Sequence, residues 1–238
     1  MKFTNIYQDA KRAEAYAKLE FPGTYYLAYR DLPEIIANHV QGKKALDFGC
    51  GAGRSTRFLQ KLGFEAIGLD ISAGMIDQAK KNDPKGDYRL IKDGDFESFE
   101  KNHFDLITAI FTFDNIPDPE NRLKLLKGLA GLINENGRII LLDSTPEIYF
   151  HEWASFSTKG FPENEKAKSG EQVKIVMTDV DDNRPVEDII WFHEDYSALF
   201  SQAGLEVEAY FKPLGNKEEP FNWVNEEKIA PWIIYVLK

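Results

Sequence analysis

The run KALDFGCGAG, Lys44 to Gly53, decides the fold of this chain. Ala45, Leu46 and Phe48 form a short apolar stretch suited to a central strand buried on both faces. Asp47 interrupts it, and Gly49, Gly51 and Gly53 follow at alternate positions. Beyond them, in RSTRFLQKL, Phe58, Leu59 and Leu62 recur at helical spacing. Strand, glycine turn and helix in that order build a ligand crevice at the strand's carboxyl end in an open α/β sheet. Glycine there permits positive φ and lets a ligand approach where a Cβ would stand.

The ligand can be narrowed from the same residues. A dinucleotide fingerprint reads G-x-G-x-x-G, whereas the spacing here is G-x-G-x-G with Arg54 at the place of the third glycine. No Lys-Ser or Lys-Thr follows, which excludes a phosphate-cradling P-loop. Asp47, just before the turn, would repel a pyrophosphate but could accept from an ammonium group. The next strand-like run, FEAIGLD, ends in Asp70, about 20 residues on, where an acid can hold ribose hydroxyls. A ligand with a ribose and a cation but no phosphate follows, and S-adenosylmethionine has that composition.

LDFGCGAG, GLDIS, DGDFES and FDLITAIF, in that order and at these intervals, resemble the class I S-adenosylmethionine-dependent methyltransferases. The likeness covers residues 44 to 143 well and the N-terminal IYQDAKRAEAY loosely. It implies an α/β fold with a doubly wound, mostly parallel seven-stranded sheet. The cofactor contacts it implies are Asp47, Gly49, Cys50, Gly51 and Gly53 of the turn, then Asp70, Ile71 and Met75, and Phe111 after the fourth strand. Asp93-Gly94-Asp95-Phe96 looks like the adenine site, with Asp95 the better match for the acid that accepts from the exocyclic amine, Asp93 the alternative, and Phe96 beside it.

The 238 residues form one domain with an elaborated cap, and apolar content of 43% with 13% aromatics supports a sizeable core. A net charge of −10 argues against an electrostatic footprint for nucleic acid or an anionic membrane. Cys50 is the only cysteine, so no disulfide framework or cysteine-rich metal site exists. The N-terminus MKFTNIYQDA lacks an apolar leader and no run is long enough to span a bilayer, so a cytoplasmic monomer or homodimer is expected.

Residues 1–41 read as helical, with Tyr7, Ala10, Ala13 and Tyr16 on one helical stripe and Pro22-Gly23 as a break before a second helix, and the resemblance implies that they form a lid over the cofactor. From 42 to 144 strand and helix alternate, which signals βαβ units and a parallel sheet. Ser72 reads as the N-cap of SAGMIDQAKKN. After the fifth strand, residues 145–190 interrupt the core: an aromatic run, the polar loop KGFPENEKAKSG, and two strands joined by DDNRP that suggest a hairpin added to the sheet. This insertion is where a substrate cap belongs. Residues 191–238 complete the sheet with LEVEAYF and PWIIYVL.

Methyl transfer needs alignment and exclusion of water more than a catalytic constellation. His151 and His193, each followed by a glutamate, are the candidate general bases for a hydroxyl acceptor. Tyr16, Tyr25, Phe113, Trp153 and Trp191 are the candidate acceptor-binding residues. The expected reaction is methylation of an oxygen or nitrogen of a small molecule. A protein or RNA methyltransferase is the alternative, set against by the acidic charge and by IFTFDNIP, which lacks the (Asp/Asn)-Pro-Pro-aromatic tetrapeptide of nucleobase and glutamine N-methylating enzymes. A non-catalytic cofactor-binding module is the reading from another class.

Overall fold

The computed structural model describes residues 22–92 and 94–238. Within them, a seven-stranded sheet has the spatial order β3-β2-β1-β4-β5-β10-β9. Its strands are β1 (Lys44–Phe48), β2 (Glu65–Asp70), β3 (Asp87–Leu90), β4 (Phe104–Ile110), β5 (Ile133–Ser144), β9 (Val207–Phe211) and β10 (Trp232–Leu237). Strands β1 to β5 pair in parallel, and β10 runs antiparallel to both β5 and β9. The order reverses between β1 and β4, which opens a crevice at their carboxyl ends.

Two apolar layers cover this sheet, as the near-continuous apolar central strands require. On one face α1 (Thr24–Arg30), α2 (Leu32–His39) and α3 (Arg54–Lys61) bury Leu27, Ile36 and Leu59 against Ala45, Leu106 and Ile140. On the other, α5 (Pro119–Leu132) and α6 (His193–Gln202) bury Leu126, Leu129 and Phe200 against Leu46, Ile107 and Leu141. Successive strand residues thus point to opposite layers, the period of two that fixes register. Helix α4 (Ala73–Asn82) is capped by Ser72, whose hydroxyl accepts from the Met75 amide at 3.4 Å. Asp118 caps α5 with Pro119 at its first turn.

The insertion differs from a hairpin added to the main sheet. β6 (Phe156–Ser157), β7 (Gln172–Met177) and β8 (Val186–Ile189) form a separate three-stranded antiparallel sheet. Its polar loop is docked rather than loose, because Asn164 is buried and donates to the carbonyls of Tyr149 (3.0 Å) and Lys174 (2.8 Å). A side chain that satisfies three backbone groups replaces the ladder bonds which the irregular segment lacks.

The described part of the expected lid is likewise built into the core. Leu27 and Ala28 are fully buried, and Pro22-Gly23 is a contact point with the cap: Gly23 has φ +48°, and a Cβ there would fall 2.1 Å from Ser155 Oγ. The Thr24 amide donates to Ser155 Oγ at 2.9 Å, and Thr24 Oγ1 donates to the buried Glu226 at 2.7 Å. Glu226 also accepts from the Ala154 amide, so one carboxylate ties helix α1, the cap and the β9–β10 connection. Tyr16 and the earlier helical stripe lie outside the described residues.

Glu226→Gln is expected to lower the melting temperature by several degrees, since a charged acceptor shared by backbone and hydroxyl donors contributes about 1.5–3 kcal/mol per bond. Differential scanning calorimetry checks this, and hydrogen exchange should rise in 22–31 and 152–158 together.

Candidate active site

The glycine turn is shaped by Asp47, but not in the way its sequence position suggests. Its carboxylate has no exposed surface: Oδ2 accepts from Ser55 Oγ and Thr56 Oγ1, both at 2.6 Å, and Oδ1 accepts from Thr108 Oγ1 at 2.9 Å. Burial pushes this carboxyl up, the three hydroxyls pull it back, and the charge of Asp70 raises it slightly. Asp47 therefore belongs to the scaffold under the turn, a correction of the expected ammonium contact. Cys50 also points away from the crevice. It packs with Ile76, Ala79 and Tyr88, and burial holds its thiol well above the ordinary range.

Above the turn lies a groove of about 800 Å³ counted out to its solvent mouth. Gly49, Gly51, Asp70, Ile71, Met75 and Phe111 line it. A Cβ on Gly51 would project into open space, and one on Gly49 would strike Thr112 at 2.4 Å. Gly53 is needed for packing instead, since a Cβ there would stand 2.8 Å from the Tyr88 ring. Asp95 is exposed and accepts from the Glu97 amide at 3.3 Å, and Phe96 packs on Phe48 and over Gly128; neither lines the groove. Asp93 lies outside the described residues.

Asp70 is the one charged side chain among the described residues lining the groove. Its Oδ2 accepts from the Gly51 amide and its Oδ1 from the Ser72 amide, each at 2.8 Å. A carboxylate has about four lone-pair sites, so acceptor capacity remains for a ribose hydroxyl. Burial pushes Asp70 up, and the amides of Ser72, Gly51 and Ile71 oppose that shift. Ile71, Met75, Ile91 and Leu125 supply apolar walls suited to an adenine ring. This donor set fits S-adenosylmethionine: acceptors for the ribose, apolar walls and, among the described residues lining the groove, no cation placed for phosphate.

A second cavity, about 420 Å³ to its mouth, lies between the ends of β4 and β5 and the cap sheet. Phe111 and Asn115 line both cavities. Phe111 sits at φ +56°, a left-handed conformation unusual for an aromatic residue and often found at functional sites. The Asn115 amide nitrogen donates to the Phe111 carbonyl at 3.2 Å, while its buried Oδ1 has no partner. Tyr25, Phe156 and Trp232 form an aromatic wall, with Tyr25 stacked on Trp232 at 5.7 Å. Asp114, Ser144, Tyr149 and Asp188 make the polar end.

Of the residues expected to bind the acceptor, Tyr25 lines this cavity. Phe113 is fully buried against Phe48 in the opposite core layer. Trp153 is buried with its indole N–H donated to the Ile148 carbonyl at 2.8 Å. Trp191 lies under the Arg122 guanidinium, 4.3 Å from its ring, beside Tyr196. The histidines are displaced too. The His193 ring stacks on Tyr235 with Nδ1 2.9 Å from the tyrosine hydroxyl, and His151 stands beside Trp153. Neither lines the groove or this second cavity, which corrects the expectation of a histidine base there. Among the described residues, the titratable groups that line the cavity are Tyr25, Asp114, Tyr149 and Asp188. Burial pushes Asp114 up to about 6, against hydrogen bonds from Ser144 and the positive charge of Arg122.

The architecture and the groove define the class I S-adenosylmethionine-dependent methyltransferases. A family profile described as a methyltransferase domain matches residues 21–210, and the chain belongs to that family. It is 30% identical over 103 residues to the Ubiquinone biosynthesis O-methyltransferase of Coxiella burnetii, covering 42% of this chain and 43% of that one. The chain thus spans less than half the length of that relative. It is 31% identical over 163 residues to the Demethylmenaquinone methyltransferase of Staphylococcus saprophyticus, covering 55% of this chain and 69% of that one. Among solved structures, the CcbJ methyltransferase from Streptomyces caelestis superposes with TM-score 0.66 at 13% identity, covering 95% of each chain. A S-adenosylmethionine-dependent methyltransferase from Clostridium acetobutylicum does so with TM-score 0.63 at 16% identity, covering 98% of this chain and 96% of that one. These last two likenesses concern the fold. S-adenosylmethionine is the cofactor.

Two outcomes follow from this geometry. Asp70→Ala should weaken S-adenosylhomocysteine binding by about tenfold to a hundredfold, the loss of charge-assisted hydrogen bonds of roughly 1.5–3 kcal/mol; titration calorimetry measures it. Asp114 holds its proton more tightly folded than at its ordinary value of 3.8, so its stabilising share is present below that value and lost as pH rises through about 6. Asp114→Asn should therefore gain on the wild type from pH 4 to pH 7, by on the order of 3 kcal/mol. Paired urea titrations across that range test the sign.

Proposed function

We propose that this protein transfers the methyl group of S-adenosylmethionine to an oxygen or nitrogen of a small molecule held between the cap and the sheet. The observation that carries this reading is the second cavity, which shares Phe111 and Asn115 with the cofactor groove. The cofactor, when bound, supplies a methyl group on a cationic sulfur. The chain's own residues hold and exclude. Asp70 and the glycine turn orient the ribose end, and Phe111, fixed in a strained turn, forms the wall between the two cavities. Tyr25, Phe156 and Trp232 close over the acceptor and keep water from it.

A small cavity with aromatic walls favours a compact acceptor over a protein or RNA strand, and the net charge of −10 points the same way. No described helix is long and apolar enough to cross a membrane. The names of both sequence relatives refer to quinones, which makes cyclic small molecules a sensible first panel.

Incubation with S-adenosylmethionine and a fractionated metabolite pool should yield S-adenosylhomocysteine above the acceptor-free rate. Phe156→Leu should raise the acceptor KM at least fivefold and leave S-adenosylhomocysteine affinity within twofold. A protein that binds the cofactor but gives no acceptor-dependent turnover would instead be a binding module.

A further inference from the structure

The short turn after β4, Phe113–Asn115, carries two neighbouring polar side chains with different outlooks. Asn115 lines both the cofactor groove and the second cavity, and Asp114 lines the second cavity. A methyl acceptor that reaches the groove past Phe111 and Asn115 therefore passes the residue next to Asp114. The Asp114 carboxylate is pinned by one oxygen. Ser144 donates to Oδ2 from its hydroxyl at 2.7 Å and from its amide at 3.3 Å, across the ends of β4 and β5. No bond to Oδ1 is formed among the described residues, and Asp114 keeps 6% of its surface exposed. Oδ1 is thus the oxygen with capacity for a ligand.

The other polar groups of the cavity are less suited to taking a proton. The Tyr149 hydroxyl donates to Asp188 Oδ2 at 3.2 Å, and the Tyr25 hydroxyl donates to Met177 Sδ at 3.5 Å. Asp188 is half-buried on the cap strand β8 and already bonded to Tyr149. Among the described residues, the charged and titratable groups around Asp114 are Arg122 of α5, Asp143 of β5, Tyr149, Tyr196 of α6 and Asp188. Arg54 stands 5.1 Å over the ring of the lining Tyr25. Arg122 lends Asp114 its charge, while its own donors go to the carbonyls of Phe113 and Ile116 and to the Tyr196 hydroxyl. Burial pushes Asp143, Tyr149 and Tyr196 well above their ordinary ranges, so Asp114 ionises before them as pH rises.

We infer that Asp114 is the general base of the methyl transfer, its Oδ1 accepting the proton that the methyl acceptor's oxygen or nitrogen gives up. This rests on the proposed methyl transfer and assigns the destination of its proton. The acceptor's lone pair forms the bond to the methyl carbon, the carbon–sulfur bond breaks with its electron pair kept by sulfur, and the O–H or N–H proton passes to Asp114. A hydroxyl or amine that gained a methyl group and kept its proton would carry a full positive charge. The rings of Tyr25, Phe156 and Trp232 cannot take that proton, and a carboxylate at the end of the same cavity can. Burial pushes Asp114 up to about 6, so it is ionised at neutral pH yet holds a proton better than an exposed carboxylate.

The test uses the full chain, S-adenosylmethionine and the metabolite fraction that gives the most acceptor-dependent S-adenosylhomocysteine. The fraction is diluted until the rate is proportional to it, so that the rate reads kcat/KM. The wild-type rate should fall about tenfold per pH unit below about pH 6. Asp114→Asn should lose about a hundredfold or more at neutral pH and show no such limb, with S-adenosylhomocysteine affinity kept within about twofold. A readout without turnover accompanies this: infrared difference spectra of the free protein, wild type minus Asp114→Asn, should lose a protonated-carboxyl band through the same midpoint. Ser144→Ala removes a donor that lowers this carboxyl, so limb and band should both move up by about half a pH unit or more. If Asp114→Asn keeps more than about a tenth of the wild-type rate, the inference is overturned and methyl transfer stands. The same holds if the band moves in Ser144→Ala while the limb stays in place. Wild-type protein that binds S-adenosylhomocysteine but gives no acceptor-dependent turnover removes the methyl-transfer reading, and the inference with it.

Discussion

Everything in this molecule that concerns the cofactor depends on one buried carboxylate. Asp47 accepts from two hydroxyls of α3 and one of β4, so it is satisfied only when three separate elements are assembled. Removing such a group from water costs several kcal/mol, and hydrogen bonds to a charge return about 1.5–3 kcal/mol each. The two sides nearly cancel, so the gain is in geometry rather than in stability. With β1, β4 and α3 held at fixed distances, the turn between Phe48 and Arg54 has little freedom. Gly68, opposite Asp47 on β2, completes the arrangement: a Cβ there would stand 2.7 Å from Thr56 Oγ1.

The opposite wall is held by a buried arginine. Arg122 has no exposed surface, and it grips the 113–116 loop through the carbonyls of Phe113 and Ile116. Trp191 and Tyr196 support its guanidinium from behind. That clamp lies just beyond Phe111, whose left-handed backbone persists because the surroundings over-determine it. The Phe111 amide donates to the Leu142 carbonyl at 2.8 Å, and its carbonyl accepts from Asn115. Strain and clamp together place one aromatic ring between two cavities. Trp191 therefore bears on the site at a distance, through the arginine it packs against.

The cofactor half of the site was legible because it is local. A strand, a glycine turn and an acid at the end of the next strand lie within one βαβ unit, and pattern reading follows them directly. Asp47 was misplaced because sequence shows its type and spacing but not the three hydroxyls that surround it. The acceptor cavity was far less legible. Tyr25, Phe111, Phe156, Asp188 and Trp232 meet only through the tertiary fold, and no spacing connects them. Histidines were favoured as bases because histidine alone titrates near neutrality without help. Burial does the same for Asp114, and burial cannot be read from one strand end. The docked Asn164 loop shows the same limit, since a polar run reads as solvated until its backbone partners are known.

This division between local and long-range construction also bears on what similarity can say. The cofactor groove is assembled from neighbouring elements of one sheet, so its requirements persist wherever that sheet is kept. The acceptor cavity draws on a cap, an N-terminal helix and the last strand, whose side chains can change without disturbing Asp47 or Asp70. Solved methyltransferases that cover 95–98% of this chain at 13–16% identity share the scaffold under those conditions. A sequence match that covers 42% of the chain cannot include all three parts of the cavity, which extend from Tyr25 to Trp232. The names of relatives therefore bear most directly on methyl donation, and the acceptor has to be read from the cavity itself. There the lining itself is the guide: Asp114, Ser144, Tyr149 and Asp188 at one end, with Tyr25, Phe156 and Trp232 along the wall.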